Sequence, residues 1–302
     1  MKWEKFDFCF NSGAYLDGYD GAAVPQAIPV SDDIVRVYYS PRDKQNRSHI
    51  FYVDIDMNSL SVADVCREPV LSPGELGAFD DSGTMMSYLG FYENKWWLYY
   101  IGWNLGVTVP FRNSLGLAFS EDGIHFKRAY NGPILDRTKE EPHFCASCWV
   151  LKEDRYRIWY LSCVKWRLDK EGKPEHCYHI KYAESDDGIN WERHGRIAIA
   201  FENDSEYAIS RPCVIKGDKG YHMWFSHRGD KYRIGYAFSE DGIDWKRMDD
   251  QSGITISEKG FDDIMICYPN VFKFKNEYYM LYNGNRYGMT GFGIAKLVEG
   301  EI

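Results

Sequence analysis

Three features of the sequence predict an all-β protein built from like units. The phrases SEDGIHF, SDDGINW and SEDGIDW repeat one pattern at Ser120–Phe126, Ser185–Trp191 and Ser239–Trp245. The segment FDDSGTMMSYLGFYENKWWLYYIG (Phe79–Gly102) aligns without a gap on FDDIMICYPNVFKFKNEYYMLYNG (Phe261–Gly284). Aromatic residues make up 17% of the chain, a composition that favours strands and stacking surfaces over long helices.

Each element of the unit follows in order. The aligned frame also takes in DGAAVPQAIPVSDDIVRVYYSPR, EPHFCASCWVLKEDRYRIWYLS and SEYAISRPCVIKGDKGYHMWFSHR, so there are five copies. Equivalent inner-strand positions are Pro25, Ser87, Cys148, Pro212 and Pro269, spaced by 62, 61, 64 and 57 residues. Each copy reads as an inner strand, a turn, an aromatic middle strand (VRVYYS, WWLYYI, YRIWYL, YHMWFS, YYMLYN), a third strand (HIFYV, LGLAF, HIKYA, RIGYA, FGIAK), the corner phrase and a fourth strand. At the corner, Asp-Gly is expected to supply the positive φ angles of a type I′ turn, with Asp122, Asp187 and Asp241 structural. Four antiparallel strands repeated five times predict a five-bladed β-propeller, in which radial packing hides most sheet edges. The fifth copy ends after its third strand, and KWEKF (Lys2–Phe6) resembles the fourth strands NWERH and DWKRM. The N-terminal strand is therefore expected to close the last blade, giving one domain over residues 1–302.

Composition narrows the function. A net charge of −9 without a Lys/Arg run repels nucleic acid and anionic membranes. No signal-peptide core and no run of 18 apolar residues is present, so a soluble, cytoplasmic protein is expected. Eight cysteines lie in apolar runs, and although Cys145 and Cys148 form a CxxC pair, no βαβ context or second pair supports redox or zinc chemistry. They read as buried free thiols, and neither a metal nor a cofactor is expected.

In a propeller, ligands bind where loops enter the inner strands and turns leave the middle ones. The approach loops are acidic: Asp20, Asp80 and Asp81, Glu141, Glu206, and Asp262 and Asp263. Carboxylates gathered near one axis repel unless a ligand or chemistry requires them, and paired carboxylates carry glycoside hydrolysis. The alternative is that they cap turns and bind backbone amides. The exit column holds Arg42, Trp103, Cys163, Arg228 and Asn285, flanked by His227 and Arg286. Recurring arginines suit bidentate binding of carboxylate or phosphate, or else pair with the neighbouring acids. Trp103, His143 and Tyr268 can stack on a sugar ring or pack between blades. Arg211, in the inner strand SRPCVI, completes the substrate-binding candidates.

The frame FDD…YPNVFKFKNEYYMLYNG with its SxDGxxW corners resembles the five-bladed propeller glycosidase superfamily over nearly the whole chain. That superfamily includes the arabinanase and β-xylosidase group, the invertase and levansucrase group, and the β-mannoside phosphorylases. The resemblance implies a base or nucleophile at Asp20, a supporting acid at Asp81 (or Asp80) and a proton donor at Glu141 (or Glu140). The superfamily's Asp-Pro signature in the first inner strand is replaced by AAVPQ, and no Glu lies within CASCWV. The corners are one residue short of the sialidase Asp-box, so sialidase chemistry is not implied. The expected function is cleavage or transfer of a glycosidic bond in a small sugar, anionic sugars included, with phosphorolysis a variant that suits the arginines. The rival is a noncatalytic or accessory propeller that binds a sugar or sugar nucleotide in glycan biosynthesis.

Overall fold

A computed structural model describes all 302 residues. The chain is all-β, with three short 3-10 turns as its only helical elements. β1 (Lys2–Phe10) is followed by β2 (Tyr19–Pro29), β3 (Ile34–Asp43), β4 (Phe51–Asp56) and β5 (Ser61–Val65). Then come β6 (Thr84–Tyr92), β7 (Lys95–Leu105), β8 (Phe111–Ser120) and β9 (Lys127–Arg128). The third copy forms β10 (Cys145–Lys152), β11 (Tyr156–Leu168), β12 (Pro174–Ser185) and β13 (Ile197–Ile199). The fourth forms β14 (Ala208–Gly217), β15 (Gly220–Arg228), β16 (Tyr232–Ser239) and β17 (Lys246–Arg247), and the fifth β18 (Cys267–Phe274), β19 (Glu277–Asn283) and β20 (Phe292–Glu299).

Three sheets have four strands, in the orders β2-β3-β4-β5, β6-β7-β8-β9 and β1-β20-β19-β18. β1 pairs antiparallel with β20, from Lys2 opposite Glu299 to Phe10 opposite Phe292. The third and fourth copies differ from the expected separate four-stranded units, because they share one eight-stranded sheet. A single parallel bridge, Tyr178 opposite Ala208, joins them. The cause is local: the Tyr178 amide donates to the Tyr207 carbonyl at 2.9 Å, so the approach to β14 runs beside β12.

The chain divides into two compact units. One comprises Met1–Ser72, Cys213–Ser226 and Lys231–Ile302; the other comprises Pro73–Pro212 and His227–Asp230. In the first, Phe10, Tyr39, Phe51, Leu281 and Phe292 belong to one buried cluster. The Val24 amide donates to Asn283 Oδ1 (2.8 Å) and the Ala27 amide to Asn270 Oδ1 (2.9 Å). In the second, the Cys148 amide donates to Ser87 Oγ at 2.7 Å and Tyr88 lies 4.9 Å from Trp149. Side chains thus satisfy inner-strand amides where the ladder breaks. Those breaks are bulges, and at Val24, Arg211 and Tyr268, each just before a proline, φ is 50, 54 and 55°. Proline lacks the ladder donor and so sits at a bulge, which re-aims the residue before it.

The corners correct one expectation. Only the glycines are left-handed, with φ of 76° at Gly123, 71° at Gly188 and 76° at Gly242, so the turn is not type I′. Instead the serine Oγ accepts the glycine amide, and the aspartate Oδ1 accepts the amides two and three residues on, as in Ile124 and His125 onto Asp122 at 2.8 Å. Although burial pushes the Asp187 carboxyl up, its bonds from Asn190 and Ile189 outweigh this and hold it down at about 2. Six of the eight cysteines are buried, but Cys9 is exposed and Cys66 half-buried.

Two histidines, His179 buried and His176 half-buried, make the fold acid-sensitive. Burial first, then the cations Arg228 and Lys181, push His176 and His179 down to about 4. Their ordinary value is near 6.5, so the unfolded chain takes up protons in that window and the folded chain does not. Stability should be full above about pH 6.5, fall as pH drops toward 4, and fall again below about 4 as the corner aspartates protonate. Thermal melts from pH 8 to 3 check this; a flat melting temperature between pH 6.5 and 4.5 would contradict it.

Candidate functional site

In the unit containing Pro73–Pro212, the long hairpins β7-β8 and β11-β12 carry an aromatic cluster. β11 runs for 13 residues and β12 for 12, which places Trp166 and His176 on the extension, paired with each other. Phe111 is the hub, with ring centroids 4.7 Å from Trp103, 5.5 Å from Phe144 and 5.6 Å from Trp166. Beside it lies a cavity of about 200 Å³, lined by Val109, Arg112, Arg137, Pro142, His143, Phe144 and Trp166. Arg112 and Arg137 are exposed at its rim, and Arg137 is only loosely paired, 3.7 Å from Asp136. An aromatic wall with two guanidinium groups can stack on a sugar face and hold an anion.

Two larger hollows lie elsewhere, about 390 Å³ lined by Tyr15, Tyr19 and Arg67 among others, and about 450 Å³ lined by Asp186, Asp187, Trp191 and Glu192 among others. No group of three or more His, Cys, Asp or Glu side chains is placed to hold a metal ion.

The expected acids fall into different environments. Asp80 is buried and takes two bonds from Arg128, at 2.7 and 2.8 Å. Glu141 is buried and accepts from Tyr160 (3.0 Å) and Ser162 (3.0 Å), with Lys181 at 3.3 Å and Arg193 at 3.5 Å. In the other unit, buried Asp262 pairs with Lys5 at 2.5 Å. Arg128, Arg193 and Lys5 each lie two residues beyond the corner aromatic or its counterpart Trp3. The pairs are thus one recurring device that ties an approach loop to a fourth strand. The fourth copy departs from it: Arg247, in the same column, pairs with Asp249 at 2.6 Å.

Glu206 is buried, accepts the Glu202 amide at 2.8 Å and lies 2.9 Å from His227 Nδ1. Asp81 is half-buried and takes Ser82 Oγ (2.8 Å), Asn104 Nδ2 (2.9 Å) and the Gly77 amide (3.1 Å). Burial raises its pKa, but those bonds outweigh it and hold the carboxyl low. Glu140 is exposed, 3.4 Å from Lys139. Arg228 and Arg167 both lie over the Tyr207 ring, at 4.7 and 4.5 Å. Arg211 is buried, its amide donating to Ser147 Oγ at 3.1 Å and its guanidinium to the Ser87 carbonyl.

In the first unit, Asp20 is exposed, stands opposite Arg42 in the ladder and accepts the Gly21 amide at 2.8 Å. Burial lowers the Arg42 pKa, against a raising contribution from Tyr268, and its guanidinium donates to the Asn46 carbonyl at 2.8 Å. Asn285 is a loop clamp: its Oδ1 accepts the Ile264 and Met265 amides, and its Nδ2 donates to Asp263 at 2.8 Å. Arg286 is exposed next to it.

Arg112, Arg137 and Trp166 lie outside the aligned columns that supply the sequence candidates. The available signal was the longest spacing, 64 residues between Cys148 and Pro212, which reports the hairpin extension.

The fold is that of solved glycoside hydrolases. One structure described as a glycoside hydrolase superposes with a TM-score of 0.76 at 18% identity, covering 99% of this chain and 94% of that one. Another, from work on the GH130 family of mannoside phosphorylases, which contains glycoside hydrolases that target β-1,2 mannosidic linkages in Candida mannan, has a TM-score of 0.65 at 14% identity, covering 97% and 93%. No family model matches the sequence. The chain is 40% identical to uncharacterized protein MT1551 of Mycobacterium tuberculosis over 300 residues, 98% of this chain and 99% of the relative, and it belongs to that protein's family. It is also 32% identical over 134 residues to a β-1,2-mannobiose phosphorylase of Thermoanaerobacter sp. (strain X514), covering 39% of this chain and 44% of the relative. No helix is long and apolar enough to cross a membrane.

Proposed function

We propose that this chain is a carbohydrate-active enzyme, a single-domain five-bladed β-propeller that cleaves a small β-glycoside with phosphate or water as acceptor. The observation that carries this reading is the cavity walled by Phe144 and Trp166 and rimmed by Arg112, Arg137 and His143. Its rings suit the apolar face of a sugar, and its guanidinium groups suit phosphate or an acidic substituent. The similarity to a β-1,2-mannobiose phosphorylase makes β-linked mannose disaccharides the first substrates to try.

Asp20 and Asp81 keep the base and supporting roles expected of them. Glu206, buried and 2.9 Å from His227 Nδ1, joins Glu141 as a candidate for the proton-donor role.

Kinetics on a panel of β-linked disaccharides, with and without phosphate, test the reading. Trp166→Ala and the Arg112→Ala/Arg137→Ala double variant should stay folded and raise KM by about 10-fold or more, the arginine effect confined to the phosphate-dependent reaction. Asp81→Asn should lower kcat by about 100-fold with KM little changed. Unchanged kinetics in the cavity variants would move the site elsewhere. The accessory reading would replace this one if saccharides bound at the cavity without turnover.

A further inference from the structure

Arg112, Arg137 and His143 all line the cavity beside Trp166. Elsewhere in this acidic chain arginines sit against carboxylates, as in Arg36 with Asp54 (2.8 Å), Arg128 with Asp80 (2.7 Å), Arg155 with Glu192 (2.7 Å) and Arg247 with Asp249 (2.6 Å). The cavity departs from that pattern. Arg137 has only Asp136, at 3.7 Å, and the side chains of Arg112 and His143 have neither an ion pair nor a hydrogen bond within the chain. None of the residues lining the cavity is an Asp or Glu, so what it offers is the capture of an anion.

The elements that carry these side chains are preset. Arg112 stands opposite Asn104 in the β7-β8 ladder, and Trp166 opposite His176 in β11-β12. Arg137 and His143 come from the loop between β9 and β10, which folds back on itself. The Thr138 amide donates to the Glu141 carbonyl at 3.0 Å, and Thr138 Oγ1 accepts the Glu140 amide at 3.3 Å and the Glu141 amide at 3.0 Å. Glu141, buried and held by Tyr160, Ser162, Lys181 and Arg193, anchors that loop. A loop ordered before binding loses less entropy when the ligand arrives.

A fitting ligand uses both halves of the cavity. Half-buried Trp166 and buried Phe144, with ring centroids 5.7 Å apart, share its wall with the cations. Inorganic phosphate engages the cations and leaves the rings unused; a neutral sugar does the reverse. A carboxylate brings one charge and two oxygens, whereas a phosphomonoester brings a charge of about −1.5 to −2 and three acceptor oxygens, the better match to two guanidiniums and an imidazole. We propose that the cavity binds the phosphoryl group of a phosphorylated sugar, with Arg112, Arg137 and His143 on its oxygens and Trp166 on the sugar face. The preferred substrate is then a phosphorylated saccharide. This rests on the carbohydrate reading above and names the class of saccharide; inorganic phosphate, as acceptor, competes for the same three side chains.

The test measures dissociation constants by titration calorimetry for the 1- and 6-phosphates of mannose and glucose, the parent sugars, glucuronate and inorganic phosphate. Wild type should bind at least one sugar phosphate about 10-fold or more tighter than its parent sugar, glucuronate or inorganic phosphate. The Arg112→Ala/Arg137→Ala double variant should weaken that sugar phosphate and inorganic phosphate alike, by about 10-fold or more, whereas Trp166→Ala should weaken the sugar phosphate about 10-fold and leave inorganic phosphate unchanged. The wild-type comparison decides by itself if a variant fails to fold. If inorganic phosphate or glucuronate binds wild type as tightly as every sugar phosphate, or if the arginine double variant keeps the sugar-phosphate affinity, the proposal is overturned and the carbohydrate reading stands. The same holds if no sugar phosphate binds while β-linked disaccharides are still cleaved. If none of these ligands binds and no disaccharide is cleaved, both fail together.

Discussion

Removal of residues 1–10 should abolish folding, leaving material that is insoluble or lacks a cooperative melt. β1 contributes more than an edge to its sheet. Trp3 is buried, its ring 5.8 Å from Trp224 and its indole N–H donating to the Ser252 carbonyl at 3.1 Å. Lys5 neutralises buried Asp262, and Phe10, 1% exposed, packs between Tyr39 and Phe292. Losing a buried Trp and Phe costs about 3–5 kcal/mol each, and stranding a buried charge costs about the same. Together these come to about 10 kcal/mol, comparable with the whole stability of a typical domain. β20 would also be left as an open edge with an apolar face, a template for aggregation. Trp3→Ala is the milder control and should lower stability by about 3 kcal/mol. A truncated protein that melts cooperatively near the wild-type temperature would show that β1 is peripheral.

The second large effect is expected at Glu141. Glu141→Gln leaves Lys181 and Arg193, both mostly buried, without their counter-charge. Breaking one side of such a pair costs about 3–5 kcal/mol, roughly 6–10 °C in melting temperature for a chain of this size. Were the approach-loop acids instead gathered unpaired near one axis, the amide would relieve repulsion and hold or raise stability. The neighbouring Glu140→Gln, at an exposed position beside Lys139, should stay within about 0.5 kcal/mol of wild type. Equal melting temperatures for the two variants would mean that Glu141 is free for other work, including proton transfer.

Much of the fold was legible because the repeat carries its own register. Pro25, Ser87, Cys148, Pro212 and Pro269 all fall in inner strands, and KWEKF does lie in the strand paired with β20. Periodicity fixes which residues share a column, and columns survive folding. What folding adds is choice among partners. Arg128, Arg193, Arg247 and Lys5 are one column, yet Arg247 takes Asp249 where the middle strand has Phe225 in place of the tyrosine found at Tyr100, Tyr160 and Tyr282. The corner geometry was missed for a related reason: Asp-Gly suits several turns, and only the serine and aspartate bonds to specific amides select this one. The cavity lay furthest from view, since Arg112, Arg137 and Trp166 belong to hairpin extensions outside the repeat.

The most direct measurement is product analysis after incubation with β-linked disaccharides in phosphate buffer and in phosphate-free buffer, using wild type beside Asp81→Asn. Wild type should release a monosaccharide, together with a sugar 1-phosphate in phosphate buffer if phosphate is the acceptor, and Asp81→Asn should release about 100-fold less of either. If the wild-type protein binds such saccharides yet leaves every glycosidic bond intact under both conditions, the chain is a sugar-binding module and not an enzyme.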